Sequence, residues 1–170
     1  MPKMATKAAD NVFYKARMAA ASWNDRLASR EGAAEITGID RTRLANIELG
    51  TIFPHPEEVL LLADEYNAPE LQNYFCSRMC PLGIGTVNAL ELSELETAAL
   101  QLLNVTRSMP EIREGIIDIA ADGQIDEEEQ PRMKQYMDML GEVEKKIQTL
   151  KLLLKKKYGP HVGPVTKTPL

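Results

Sequence analysis

The sequence predicts an all-α protein, and three observations support this fold class. Ala, Leu, Glu and Lys are abundant, whereas aromatic residues make up only 5% of the 170 residues, a composition that favours helix over sheet. Apolar residues recur at helical spacing in one segment after another. Residue types that start or stop helices separate these segments at intervals typical of short helices.

In the N-terminal half, we expect a flexible arm at 1–10 and then five short helices within 11–80. The first helix covers 11–21 and the fourth covers 57–67. Each remaining boundary carries a Ser or Asp cap, a C-terminal Gly or a first-turn Pro. In chain order these residues are Ser29, Gly38, Asp40, Gly50, Pro56 and Pro69.

The C-terminal half begins with a predicted linker at 81–92, followed by a helical region at 93–158 and a disordered tail at 159–170. Ser93 and Glu96 have the spacing of a capping box. The last helix of this region is long and amphipathic, and its apolar residues alternate in steps of three and four, the pattern of a dimerising heptad seam. The seam consists of Tyr136, Leu140, Val143, Ile147, Leu150 and Leu154.

Residues 29–50 have the pattern of two short helices that cross at a tight turn. Ala34 is the small residue expected at the crossing, and Gly38 tolerates the positive φ that the turn needs. Ile39 is expected to fill the space between the helices. Leu44 and Ile47 lie three residues apart and face inward. The N-terminal half of the second helix is therefore free to face a partner.

The stretch from Ser29 to Gly50, with Pro54 and the helix at 57–67, resembles the xenobiotic-response-element type of helix-turn-helix, the family of the lambda and 434 phage repressors. The resemblance spans residues roughly 11 to 75. It implies a five-helix, lambda-repressor-like domain that binds double-stranded DNA, and a sequence-specific transcriptional regulator that reads the major groove.

The resemblance also implies roles for individual residues. Arg30 would anchor the protein on DNA, Arg43 would meet a phosphate, and the outward side chains of the second helix would read bases, since Arg suits guanine and Asn suits adenine. The DNA-contacting set is Ser29, Arg30, Arg41, Thr42, Arg43 and Asn46.

Glu48 would be structural and pair with a buried Arg of the first helix, for which Arg17 is the candidate. The sequence departs from the family at 21–28, which is longer than the usual link. Gly32 and Ala33 stand where the family commonly has a helix former and Leu, so a weak helix is expected there.

Charge is uneven along a chain whose net charge is −5. Residues 1–50 hold eight Lys or Arg against six Asp or Glu, whereas 51–80 hold five acids and Arg78 as the only cation. A DNA-facing surface is therefore expected within the first fifty residues, with modest and salt-sensitive affinity.

Two further patterns have structural explanations that we favour. Cys76 and Cys80 could supply thiolates to a metal shared across a dimer, but a structural zinc needs four ligands, and two packed thiols are the simpler interpretation. Residues 118–129 resemble a calcium-binding loop that lacks its third-position ligand, where Ala120 stands. An acidic helix start explains the same carboxylates.

No catalytic constellation, cofactor motif or metal-binding motif appears, so an enzyme is not expected. No apolar run approaches the ~20 residues that span a bilayer, and the N-terminus lacks a signal sequence, so we expect a cytoplasmic protein with no membrane partner. One helix-turn-helix contacts few base pairs, which favours a homodimer. The alternatives are a helical protein–protein adaptor with a degenerate motif, and a regulator that senses a ligand or ion through 118–129.

Overall fold

The structure, a computed structural model, describes residues 8–120 and 124–159. All regular structure in these ranges is helical, as the composition predicted. The α-helices, in chain order, are α1 (Val12–Ala20), α2 (Arg30–Thr37), α3 (Arg41–Glu48), α4 (Pro56–Glu65), α5 (Glu70–Arg78), α6 (Leu95–Val105), α7 (Met109–Ala120) and α8 (Gln130–Tyr158). None of the helices in the described ranges is long and apolar enough to cross a membrane.

Short 3₁₀ segments lie at Asp25–Ala28 and Thr106–Ser108. Contacts divide the chain into two compact units. The first runs up to Ala89 and also takes in the described chain from Tyr158 onward, and the second runs from Leu90 to Lys157. The boundary between Ala89 and Leu90 falls within the predicted linker at 81–92. The first half of that segment packs with the first unit, where Gly83 is buried and a Cβ there would lie 2.1 Å from the Cys76 carbonyl oxygen.

Residues 8–10 of the predicted arm form a turn before α1. Ala8 is buried, and its carbonyl oxygen accepts a hydrogen bond of 3.0 Å from the Asn11 backbone N–H. The rest of the predicted arm, 1–7, and most of the predicted tail, 160–170, lie outside the described residues.

Local caps fix the ends of the helices in the first unit. The Ser29 hydroxyl accepts a hydrogen bond of 3.1 Å from the Gly32 N–H at the start of α2, and an Asp40 carboxylate oxygen accepts one of 2.8 Å from the Thr42 N–H at the start of α3. Gly38 ends α2 with φ +70°, a conformation that residues with a Cβ rarely adopt. Pro56 is the first residue of α4. These boundaries confirm the predicted ones.

The core of the first unit lies between α1, the 3₁₀ segment 25–28 and α2–α5. Its fully buried large side chains are Phe13, Leu27, Leu44, Ile47, Leu62 and Leu71. Burying each such side chain stabilises the fold by about 1.5–3 kcal/mol. Leu44 and Ile47 are each 1% exposed, which confirms the predicted inner face of α3.

The segment that departs from the expected pattern, 21–28, packs directly on α2. A Cβ at Gly32 would lie 2.1 Å from the Arg26 carbonyl oxygen, so only glycine lets the two backbones approach this closely. Leu27 and Ala33 are both fully buried in the same core. Ala34, the small residue predicted at the helix crossing, is half-buried and packs against this core.

The second unit has a small core formed by α7 and the N-terminal half of α8. Ile112, Ile119 and Tyr136 are buried together. Gly115 makes room for the Tyr136 ring, whose nearest atoms would lie 2.2 Å from a Cβ at that position. Within the same unit, the Lys146 ammonium donates a hydrogen bond of 3.0 Å to the Gln101 side-chain oxygen and so links α8 to α6.

The structure corrects one predicted feature of the second unit and leaves another, the seam of α8, partly exposed. α6 begins at Leu95 with Glu94 as its cap residue, and its cap makes no side-chain hydrogen bond, so the capping box predicted at Ser93 does not form. The predicted seam of α8 is buried only in part. Tyr136 and Val143 are buried and Leu140 and Leu150 are half-buried, but Ile147 and Leu154 are 38% and 40% exposed.

Candidate nucleic-acid interface

The outer face of α3 exposes three of the predicted contact residues. Arg41 and Thr42 are exposed, and Asn46 is half-buried, whereas the opposite face of the helix is closed by Leu44 and Ile47. The Asp40 cap contributes further, because its carboxylate accepts the Thr42 and Arg43 N–H groups and fixes the start of the helix. The first turn and a half of α3 thus faces solvent on its outer side, while the inner side of the helix is buried in the core.

A buried ion-pair cluster holds α3 in place from behind. The Arg17 guanidinium donates to both Glu48 carboxylate oxygens, with Nε–Oε1 and Nη2–Oε2 distances of 2.5 and 3.1 Å. The Arg30 Nε donates to Glu48 Oε2 at 2.7 Å. One carboxylate of α3 therefore binds one arginine from α1 and one from α2.

The segment 21–28 completes this cluster. Arg17 Nη1 donates to the carbonyl oxygens of Leu27 and Ala28 at 2.8 and 3.1 Å. Burial lowers the pKa of the Arg17 guanidinium, but the hydrogen bond and the charge of Glu48 outweigh burial and raise it above its ordinary value. The pairing of Arg17 with Glu48 is confirmed, and the longer link contributes two of its acceptors.

The Tyr66 hydroxyl lies against the same cluster. Burial raises the pKa of this phenol well above its usual value, and the Glu48 carboxylate adds to the shift. Among the described residues, the hydroxyl oxygen has no hydrogen-bond partner. The cluster is therefore enclosed in a strongly desolvated part of the core.

Arg43 has a partner that the sequence did not indicate. Its guanidinium binds Glu58 of α4 through two hydrogen bonds, Nε to Oε1 and Nη2 to Oε2, the latter at 2.8 Å. Glu58 also accepts the His55 N–H at 2.7 Å and so caps α4. A phosphate contact by Arg43 would require it to leave a carboxylate whose side chain is only 13% exposed.

Arg41 pairs with Glu31 in the first turn of α2, with an Nε–Oε1 distance of 2.5 Å. Both side chains are about 60% exposed, unlike the other arginine pairs of α2 and α3. Each of the three predicted contact arginines therefore binds a glutamate: Arg30 binds Glu48, Arg41 binds Glu31 and Arg43 binds Glu58. Glu31 and Glu58 were missed because nothing in their local sequence indicates partners ten or more residues away.

The acidic stretch before α8 acts as a helix cap. An Asp126 carboxylate oxygen accepts the Glu128 and Glu129 N–H groups at 2.9 and 2.8 Å, and a Glu129 carboxylate oxygen accepts the Asp126 N–H at 3.2 Å. This reciprocal arrangement is a capping box. Residues 121–123 of the calcium-loop pattern lie outside the described residues.

Cys76 and Cys80 are free thiols, half-buried at the end of α5. In the part of the chain that the structure describes, no group of three or more His, Cys, Asp or Glu side chains is placed to hold a metal ion. No family model, curated protein or solved structure matches this chain.

Proposed function

We propose that the chain is a sequence-specific transcriptional regulator that places α3 in the major groove of double-stranded DNA, as the resemblance to phage repressors implies. The observation that carries this proposal is the outer face of α3, where Arg41 and Thr42 are exposed and Asn46 is half-buried, while the inner face of the helix is buried in the core. A recognition helix needs this combination, because base contacts require side chains held in one register.

In this proposal, Arg41 donates to guanine and Asn46 forms paired hydrogen bonds with adenine. Thr42 contacts a base edge or a thymine methyl group. Ser29 and Arg30 lie at the start of α2, where the resemblance places backbone contacts. Arg30 would then bind Glu48 through its Nε and contact the DNA backbone at the same time.

We further propose a homodimer, because one recognition helix reads too few base pairs for useful specificity. Ile147 and Leu154 support it. They continue the stripe of Tyr136 and Val143 along α8, yet remain exposed in the single chain. Acidic residues lie near the start of this stripe and lysines toward its end, which suits an antiparallel partner of the same sequence.

The test is selection of bound fragments from a genomic library, followed by electrophoretic shifts with the enriched site. Arg41→Ala and Asn46→Ala should each weaken binding to that site by about 1–3 kcal/mol and relax specificity at one position. Arg113→Ala, which removes an exposed cation from α7 in the second unit, is the matched control and should change binding little. If Arg41→Ala and Asn46→Ala bind the selected site as tightly as Arg113→Ala does, these two residues do not read DNA.

One observation favours a second function, that of a protein–protein adaptor. The described part of the first unit, 8–89, holds seven Lys or Arg against eleven Asp or Glu, and the arginines of α2 and α3 are paired with glutamates. An acidic surface suits a basic protein better than DNA. Failure of the wild-type protein to enrich any fragment would favour this function.

A further inference from the structure

We propose that Glu31 is a specificity-determining residue. Its ion pair with Arg41 keeps the guanidinium away from phosphates, and this pair breaks only where a base offers Arg41 a better acceptor. This inference rests on the proposed DNA-binding function. To that function the inference adds a competing acceptor within the protein, the Glu31 carboxylate, which lies beside the Arg41 side chain that would read the base.

The geometry singles out this pair from the others nearby. Arg30 and Arg43 bind carboxylates whose side chains are 2% and 13% exposed, so those pairs are part of the packed structure. The Glu31 and Arg41 side chains are 60% and 63% exposed. Exposed ion pairs contribute little to stability, so Arg41 can exchange its partner without unfolding anything.

Glu31 is charged at neutral pH, which the exchange requires. The pKa of its carboxyl lies below the usual value because the carboxylate accepts a hydrogen bond from its own backbone N–H and lies near the Arg41 and Arg30 guanidinium groups. It also lies in the first turn of α2, where the helix dipole favours a negative charge.

The exchange discriminates because Arg41 gains different amounts by leaving Glu31. A phosphate offers Arg41 the same kind of charged oxygens that Glu31 already provides, so little is gained by moving to it. At the preferred site, a guanine presents two acceptors, O6 and N7, that match the guanidinium donors. Arg41 therefore remains on Glu31 in non-specific complexes and moves to the base at the preferred site.

The test compares Glu31→Gln with Glu57→Gln in the full-length chain. Glu57 is an exposed carboxylate in the first turn of α4, so its substitution removes the same charge from the same helix position without releasing Arg41. Binding is measured against a duplex of random sequence and against the selected site, over a range of salt concentrations.

For the random duplex, Glu31→Gln should gain one phosphate contact that Glu57→Gln does not. The slope of log affinity against log salt should steepen by about 0.9, so that affinity falls about 3.5-fold more between 50 and 200 mM salt. The ratio of specific to non-specific affinity should fall. Equal slopes and equal ratios in the two variants would overturn the inference.

A second measurement needs no DNA. Exchange of the Arg41 Nε proton with water, followed by NMR, should be slower in the wild type than in Glu31→Gln, and equal rates would overturn the inference whatever the DNA results. If the wild type binds no DNA at low salt but Glu31→Gln binds the random duplex, the inference stands. If neither protein binds any DNA, the proposed function and the inference both fail.

Discussion

The buried cluster around Glu48 gives the sharpest stability prediction. Glu48 and Arg17 are 2% and 3% exposed, whereas Arg30 is 28% exposed. In Glu48→Gln, Arg30 can turn toward water, but Arg17 cannot. Arg17 would keep the carbonyl oxygens of Leu27 and Ala28 and lose its only carboxylate.

Removal of one partner from a buried pair costs about 3–5 kcal/mol, because the remaining charge has no compensation. The glutamine oxygen still accepts one hydrogen bond, so we expect about 3 kcal/mol. A small domain is stable by only about 5–15 kcal/mol. The variant should therefore fold at low temperature and unfold at a clearly lower urea concentration.

Urea unfolding followed by tryptophan fluorescence and by far-UV circular dichroism measures this loss. The single tryptophan, Trp23, lies in the first unit within the segment 21–28 that packs on α2, so its signal reports on the relevant unit. Glu57→Gln is the control for removal of an acidic residue and should stay within about 0.5 kcal/mol of the wild type.

A double substitution separates charge burial from simple loss of contacts. Arg17→Met with Glu48→Leu removes both buried charges and keeps similar volumes, and such replacements of a buried pair are often neutral or stabilising. The double variant should therefore be more stable than Glu48→Gln. A loss below about 1 kcal/mol in Glu48→Gln, or a double variant less stable than the single one, would refute the reasoning.

Three further predictions concern other parts of the chain. Gly32→Ala should destabilise the first unit by about 1–3 kcal/mol in urea unfolding, because its Cβ would overlap the Arg26 carbonyl oxygen. Burial acts to raise the pKa of Glu58, but the hydrogen bonds from Arg43 and from the backbone lower it overall, below 4.5. The stability that Glu58 contributes is therefore present above about pH 4.5 and is lost as pH falls through the lower folded-state pKa, so the difference in unfolding free energy between wild type and Glu58→Gln should shrink as the pH is lowered through this range. Ile147→Asp should yield folded monomers in sedimentation and abolish tight binding to the selected site, because Ile147 is exposed in the single chain.

Matched controls make each outcome decisive. Gly141→Ala, at an α8 position where a Cβ meets no neighbour, should stabilise by about 0.5–1 kcal/mol, opposite in sign to the change at α2. Gln135→Asp adds an acid to an exposed α8 position off the stripe and should leave assembly unchanged. Three outcomes would each contradict the corresponding prediction: a Gly32→Ala variant as stable as the wild type, a Glu58→Gln difference that does not shrink as the pH is lowered, or a wild type that is already monomeric at tens of micromolar.

Much of the first unit could be predicted because its helix boundaries depend on neighbours within three or four residues. Ser29 and Asp40 accept hydrogen bonds from backbone N–H groups in the first turns of α2 and α3. Gly38 ends α2, and its own N–H bonds to the last turn of that helix. The inward positions of α3 follow from helical spacing in the same way. Where the local signal was ambiguous the prediction failed. Ser93 and Glu96 have the spacing of a capping box, but α6 begins at Leu95 with Glu94 as its cap residue.

The exposed part of the predicted seam shows a different limit. Spacing along α8 identified an apolar stripe, but not which part of it the chain itself covers. The N-terminal part packs on α7 because Gly115 admits the Tyr136 ring, and nothing in the α8 sequence encodes that glycine.

By itself, the sequence determined the helical class, the α2–α3 turn and the outward side chains of α3, because caps, glycine turns and apolar periodicity act over a few residues. The resemblance to phage repressors named Arg17 as the partner of Glu48, but only the tertiary structure decided the partners of Arg41 and Arg43. Arg41 pairs with Glu31, and Arg43 pairs with Glu58, which lies 15 residues further along the chain. Arginine and glutamate pair wherever folding brings them together, and charge carries no information about distance along the chain.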